Sequence, residues 1–176
     1  MASGHEAAER RRRRGELVAF ADAARLDLAF VEQLAAALPG YLEEARRGSD
    51  VAMLGTVKAL ENVYDALEDL AQRIETTFAA LPTGPEWHKD LLHGLARPRQ
   101  GLRPAVLSGD TVRAWDDYRA FRHFGRHRVY REGAASELVA QKVAGLAPAV
   151  EALRADMQVF LRGVLADIVS LGGSPV

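Results

Sequence analysis

The sequence predicts an all-α fold, and three observations carry that prediction. Among the 176 residues are 31 Ala and 22 Leu against only two Ile, a bias toward apolar helix formers and away from sheet builders. Apolar residues recur at three- and four-residue spacing through most of the chain. Proline and glycine clusters punctuate those recurrences at intervals that suit helices rather than strands. The length fits one domain with a sizeable core. The expected architecture is a single helical domain over residues 15–171, a bundle of four or five long helices, preceded by a flexible basic arm over residues 1–14.

The first helix is read from Leu17, Phe20, Ala24, Leu28, Val31 and Leu34 or Ala35. It is expected to stop or kink at Pro39-Gly40 and to resume as far as Arg47. Gly48-Ser49-Asp50 supplies a break and an N-cap. A second helix then runs to about Leu81 on Leu54, Val57, Leu60 or Glu61, Tyr64, Leu67, Ala71, Ile74 and Phe78. Pro82-Thr83-Gly84-Pro85 closes it, a short helix covers Glu86 to Ala96, and Arg97 to Leu107 forms a loop. Ser108 and Asp110 are candidate caps for the next helix, whose region ends at Gly133. A short Ser136–Ala144 helix follows, and Pro148 fits the first turn of a last helix reaching about Ser170.

Composition narrows the chemistry. With no cysteine, disulfide scaffolds, thiolate–zinc modules, iron–sulfur clusters and cysteine nucleophiles are excluded. No apolar run approaches the roughly 18–20 residues that span a bilayer. The arginine run near the start has no apolar stretch behind it, as a secretory signal would need, so a cytoplasmic protein is expected.

A net charge of −1 conceals an asymmetry. Between Arg97 and Arg131 stand nine Arg and three Asp, a local balance of +6 in a chain that is otherwise −7. Such a segment suits a polyanion site, and it equally suits a solvated helix face offset by acidic neighbours. Its centre is Trp115 to Arg131, WDDYRAFRHFGRHRVYR. On a helical wheel Tyr118, Phe121 and Phe124 fall on one side. Arg119, Arg122, His123 and Arg126 share another, within about 100° of arc, with His127 at its margin.

Three readings of that face compete. It is a surface helix whose arginines pair with acids on neighbouring helices. It is a metal site built on His123 and His127 at i and i+4, although the H-E-x-x-H glutamate is missing and Arg126 would repel a cation. Or it serves phosphodiester chemistry, where a histidine moves a proton and arginines neutralise the phosphorane. If the nucleophile is the substrate's own 2′-hydroxyl, the substrate is RNA and no metal is needed. Arg122 and His127 lie about 140° apart on a straight helix, so they converge only if the helix distorts at Gly125 or two chains share one site.

Arg122-His123-Phe124-Gly125-Arg126-His127 resembles the Arg-x4-6-His motif of the HEPN superfamily, and of its HepT-like ribonuclease toxins in particular. The stretch YRAFRHFGRH is similar to that family's LRRFRHVVRH. Glu86 to Leu92 and Arg103 to Ser108 resemble its D-W-H-x-x-L-L and R-P-A-V-I-S segments. Tyr64 and Glu68 match an aromatic and a Glu of its second helix; Leu153, Asp156, Met157 and Phe160 resemble its last. The resemblance covers roughly Val51 to Leu165. It implies a HEPN-like bundle that dimerises, and a metal-independent endoribonuclease toxin with no cofactor. The implied partner is an antitoxin of the minimal nucleotidyltransferase type. It assigns Arg122 and His127 as the catalytic pair and His123 as a polar auxiliary. Arg119 and Arg126 are added from the wheel as RNA-phosphate contacts. The family's modified tyrosine position holds Val129 here, leaving Tyr130 as the substitute modification site. The alternative is a non-catalytic helical module that binds RNA or a nucleotide, or docks on a nucleotidyltransferase. Trp87, Trp115, His88 and His93 are expected to be structural.

Overall fold

In the computed structural model, residues 2–128 and 135–172 are described, with side chains over 4–122 and 136–172. The described residues form five helices and no strand. They are α1 (Ala2–Arg46), α2 (Asp50–Phe78), α3 (Trp87–Leu95), α4 (Gly109–Arg128) and α5 (Ala135–Ser170). The α1–α2 hairpin is the backbone of the bundle. Helix α5 lies along both of its members, and α3 and α4 close over α2 on the other side. The all-α expectation holds.

Local chemistry sets the boundaries. Gly48 takes φ +94, a left-handed turn that only glycine adopts without cost, and ends α1. Ser49 Oγ then accepts from the Ala52 amide at 3.2 Å and caps α2. Ser108 does the same for α4, accepting from the Thr111 amide at 3.1 Å. Asp110 sits inside the first turn, paired with Arg113, and is not the cap.

Three expectations about continuity fail, for related reasons. The arginine run 10–14 belongs to α1 rather than to a loose arm. Arg, Ala and Glu favour helix there, and Arg10–Glu6 and Arg12–Glu16 pair one turn apart. Pro39 does not stop α1, nor does Pro148 divide α5. Each proline is exposed, so the carbonyl freed four residues earlier can be hydrated. Meanwhile Leu38, Leu42 and Ala45 are buried around Pro39, and Leu146, Ala149 and Val150 around Pro148. Burying one leucine contributes about 1.5–3 kcal/mol, enough to offset the roughly 3 kcal/mol of an interior proline. Two hydrogen bonds from α4 also straddle Pro148: Trp115 Nε1 donates to Ala149 O at 3.2 Å, and Tyr118 Oη to Lys142 O at 2.9 Å. Tertiary contact thus overrides the local breaker. Pro39→Ala is expected to raise stability by about 1–2 kcal/mol, restoring an amide donor while losing the proline's restraint on the unfolded chain. A higher urea midpoint at unchanged m checks it.

The core is continuous through the bundle. Phe20, Phe78 and Phe160, from α1, α2 and α5, meet edge to face with centroids 5.0–6.1 Å apart. Trp115 is fully buried and Tyr118 and Phe121 nearly so, as the wheel predicted for that side of α4. Their burial fixes the rotation of α4 and turns its basic side toward α2 and α3.

Candidate functional site at the α2–α3–α4 junction

Helix α2 carries an unusual column within its buried face. Glu61, Glu68 and Glu75 are each buried and stand seven residues apart, so they lie almost in line along the helix. A buried carboxylate needs a charged or hydrogen-bonded partner, and each has one. Glu61 pairs with Lys58 at 3.1 Å. Glu75 meets Arg103, whose guanidinium is wholly buried, and Arg99 at 3.3 Å. Arg103 also donates to the carbonyls of Gly94, Arg97 and Pro104, which ties the α3–α4 loop to α2.

Glu68 is the middle member, and it links all three helices. Its Oε2 accepts from His88 Nδ1 at 2.5 Å and from Arg122 Nη1 at 3.3 Å. Arg122 Nε lies 3.3 Å from Asp65 Oδ1, an ion-pair distance without the alignment of a hydrogen bond. The Arg122 guanidinium also sits over the Tyr64 ring, 5.9 Å from its centroid. Tyr64, Asp65 and Glu68 thus form a three-sided cradle for one guanidinium, leaving it 16% exposed. Burial, and then the Glu68 charge, hold the Tyr64 phenol well above its usual range, so it is a neutral O–H at any physiological pH. The His88 ring stacks on Trp87 at 3.6 Å between centroids.

A second cluster lies one turn back along α4. Arg119 Nε donates to Asp116 Oδ1 at 2.6 Å, and His93 Nε2 is 3.3 Å from the same oxygen. The hydrogen bond from Arg119 lowers the Asp116 carboxyl below the usual carboxylate range, with His93 adding to it. The Arg119 guanidinium is raised correspondingly by Asp116.

Of the expected site residues, then, the structure puts Arg122 in the cradle and Arg119 beside Asp116. His123, Arg126 and His127 lie on α4, but their side chains fall outside the described residues, and Tyr130 falls outside them altogether. Among the described residues no group of three or more His, Asp or Glu is placed to hold a metal ion. Sequence reasoning misses the acids of the cradle: Asp65 carries no motif, and Glu68 enters only through the family resemblance. The signal lay in the seven-residue repeat of glutamates inside an apolar helix face.

The charge asymmetry also has a structural answer. Arg99 and Arg103 are met by Glu75, Arg122 by Asp65 and Glu68, and Arg113 and Arg119 by aspartates of α4 itself. The α4 aspartates are already counted in the +6, so Asp65, Glu68 and Glu75 of α2 offset three of the six positive charges.

A family model described as HepT-like protein matches residues 55–164. No curated protein and no solved structure matches the chain. The matched region is more than half of the sequence and takes in nearly all of α2, the whole of α3 and α4, and α5 as far as Val164. It holds the Glu68–His88–Arg122 junction and the full stretch from Arg122 to His127. The chain belongs to the HepT-like family.

Proposed function

We propose that this protein is a metal-independent endoribonuclease of the HEPN type, the toxin of a toxin–antitoxin pair. The observation that carries the reading is the family match across residues 55–164, which contains Arg122 and His127 at the Arg-x4-His spacing. The reaction is attack of an RNA 2′-hydroxyl on the adjacent phosphorus with expulsion of the 5′-oxygen. His127 exchanges the proton as general acid or base, Arg122 stabilises the charge on the phosphorane, and His123 assists. Arg119 and Arg126 contact flanking phosphates. The cleft is composite, each copy of a homodimer supplying one motif helix. The cognate antitoxin is a minimal nucleotidyltransferase, with Tyr130 as the residue it modifies. No described helix is long and apolar enough to cross a membrane, which fits the expectation of a cytoplasmic protein.

The cradle supports a role for Arg122 beyond charge. A guanidinium held at Nη1 by Glu68 and approached at Nε by Asp65 is oriented before substrate arrives, and orientation is what transition-state stabilisation requires. A second reading, a non-catalytic RNA-binding or antitoxin-docking module, draws on the ion pairs that already occupy Arg119 and Arg122.

Cleavage of end-labelled RNA in EDTA separates the two. An enzyme leaves 2′,3′-cyclic phosphate ends, and His127→Ala removes turnover while RNA affinity changes little. A wild type that binds several RNAs and cuts none favours the binding module. Products ending in an ordinary 3′-hydroxyl would refute the transesterification.

A further inference from the structure

Helix α1 presents a face that the bundle does not use. It packs on α2 and α5 and has no packing contact with α4 among the described residues. On its outer side Leu26 is 72% exposed, Phe30 and Tyr41 are each 52% exposed, and Ala19 and Ala37 are exposed as well. At 100° per residue these five fall within about 60° of arc, a narrow apolar stripe along a 45-residue helix. A large unpartnered stripe of this kind marks an interaction surface.

The order of residues on the stripe identifies what covers it. With Tyr41 set aside, positions 12, 19, 26, 30, 37 and 44 on this side of α1 are separated by seven, seven, four, seven and seven residues, a spacing that reads the same in both directions. Turned end for end about the level of Leu28, the stripe sets Leu26 against Phe30, Ala19 against Ala37, and Arg12 against Glu44. Within these three pairs apolar meets apolar, small meets small and charge meets its opposite, while Tyr41 falls opposite Gly15, which has no side chain to oppose the ring. That self-complementarity is what an isologous two-fold contact requires. The seven- and four-residue steps are also the spacing that seats knobs into holes between paired helices. A parallel pairing would instead set Arg12 on Arg12 and Glu44 on Glu44. In the single chain Arg12 is exposed and turns back to Glu16, whereas Glu44 has no ion pair among the described residues.

We propose that α1 pairs antiparallel with α1 of a second copy of this chain about a two-fold axis near Leu28, burying Leu26 and Phe30. This inference does not depend on the ribonuclease reading. Because α1 does not touch α4 among the described residues, the pairing leaves that helix open to substrate or to a separate contact.

The absence of native cysteine makes the arrangement directly measurable. Ala19 and Ala37 are exposed, so cysteines there leave the core intact. The double variant Ala19→Cys/Ala37→Cys is expected to form a disulfide-linked dimer under mild oxidation several times more readily than either single variant. Leu26→Glu/Phe30→Glu, with unchanged helical circular dichroism, is expected to halve the mass measured by light scattering at high protein concentration. Single-cysteine variants that link as readily as the double one would overturn the antiparallel register. A mass unaffected by the glutamates, or a wild type already monomeric, would overturn the pairing itself.

Discussion

Arg103→Ala is expected to remove about 3–5 kcal/mol of folding free energy, the range seen when one partner of a buried ion pair is deleted. The guanidinium is wholly buried, and so is the Glu75 carboxylate it meets. Deleting it leaves Glu75 with Arg99 alone, at 3.3 Å and half in solvent, and strips a donor from the carbonyls of Gly94, Arg97 and Pro104. The bond to Gly94 O is buried, and an abandoned buried acceptor costs about 1–3 kcal/mol when nothing replaces the bond, whereas the carbonyls of the exposed Arg97 and Pro104 can turn to water. Total stability for a domain of this size is about 5–15 kcal/mol, so the variant should sit close to its unfolding midpoint at room temperature. Urea denaturation measures the loss, and a value near 1 kcal/mol would mean that water substitutes for the guanidinium. Replacing both partners by leucine should be much milder than either single change, because no uncompensated charge then remains buried.

The same ion pair explains what the sequence does and does not disclose. Helix identity was legible wherever apolar spacing, a cap and a breaker agreed, as at Gly48-Ser49 and across α2. It failed where a breaker stood on a solvent-facing side of a well-buried helix, because Pro39 and Pro148 are judged locally while Leu38, Leu42, Leu146 and Val150 are paid for by tertiary contact. The basic face of α4 was legible through its periodicity. Its partners were not, since Asp65 and Glu68 lie more than fifty positions before Arg122 and nothing in the local pattern links them. Charge counted along the chain gives +6 for the segment; three acids of α2, Asp65, Glu68 and Glu75, offset half of it in the fold. How far an arginine is buried is a property of the fold: the Arg103 side chain is wholly enclosed, whereas that of Arg122 keeps 16% of its surface exposed.

Arg122→Ala is the change with the largest expected effect on activity. If the guanidinium stabilises the phosphorane, its loss should slow RNA cleavage by about 10²–10³-fold, the range for removing one oriented donor from a transition state. Folding should be far less affected than in the Arg103 variant. Glu68 keeps His88 at 2.5 Å, and Arg122 is only partly buried. Arg122→Lys retains the charge but not the planar fork, so it should recover little of the rate. Glu68→Gln tests the cradle separately. It preserves shape while removing the charge that aligns Arg122, and a loss of about tenfold, or roughly 1.4 kcal/mol of barrier, is expected in kcat with KM little changed. The decisive measurement is the double variant. If Glu68 acts only through Arg122, then Glu68→Gln adds nothing once Arg122 is alanine, and the two losses fail to sum. If they sum fully, Glu68 contributes by another route, with His88 the group it then orients. A wild-type rate retained in Arg122→Ala would remove the cradle from the mechanism and leave it as a structural junction between α2, α3 and α4.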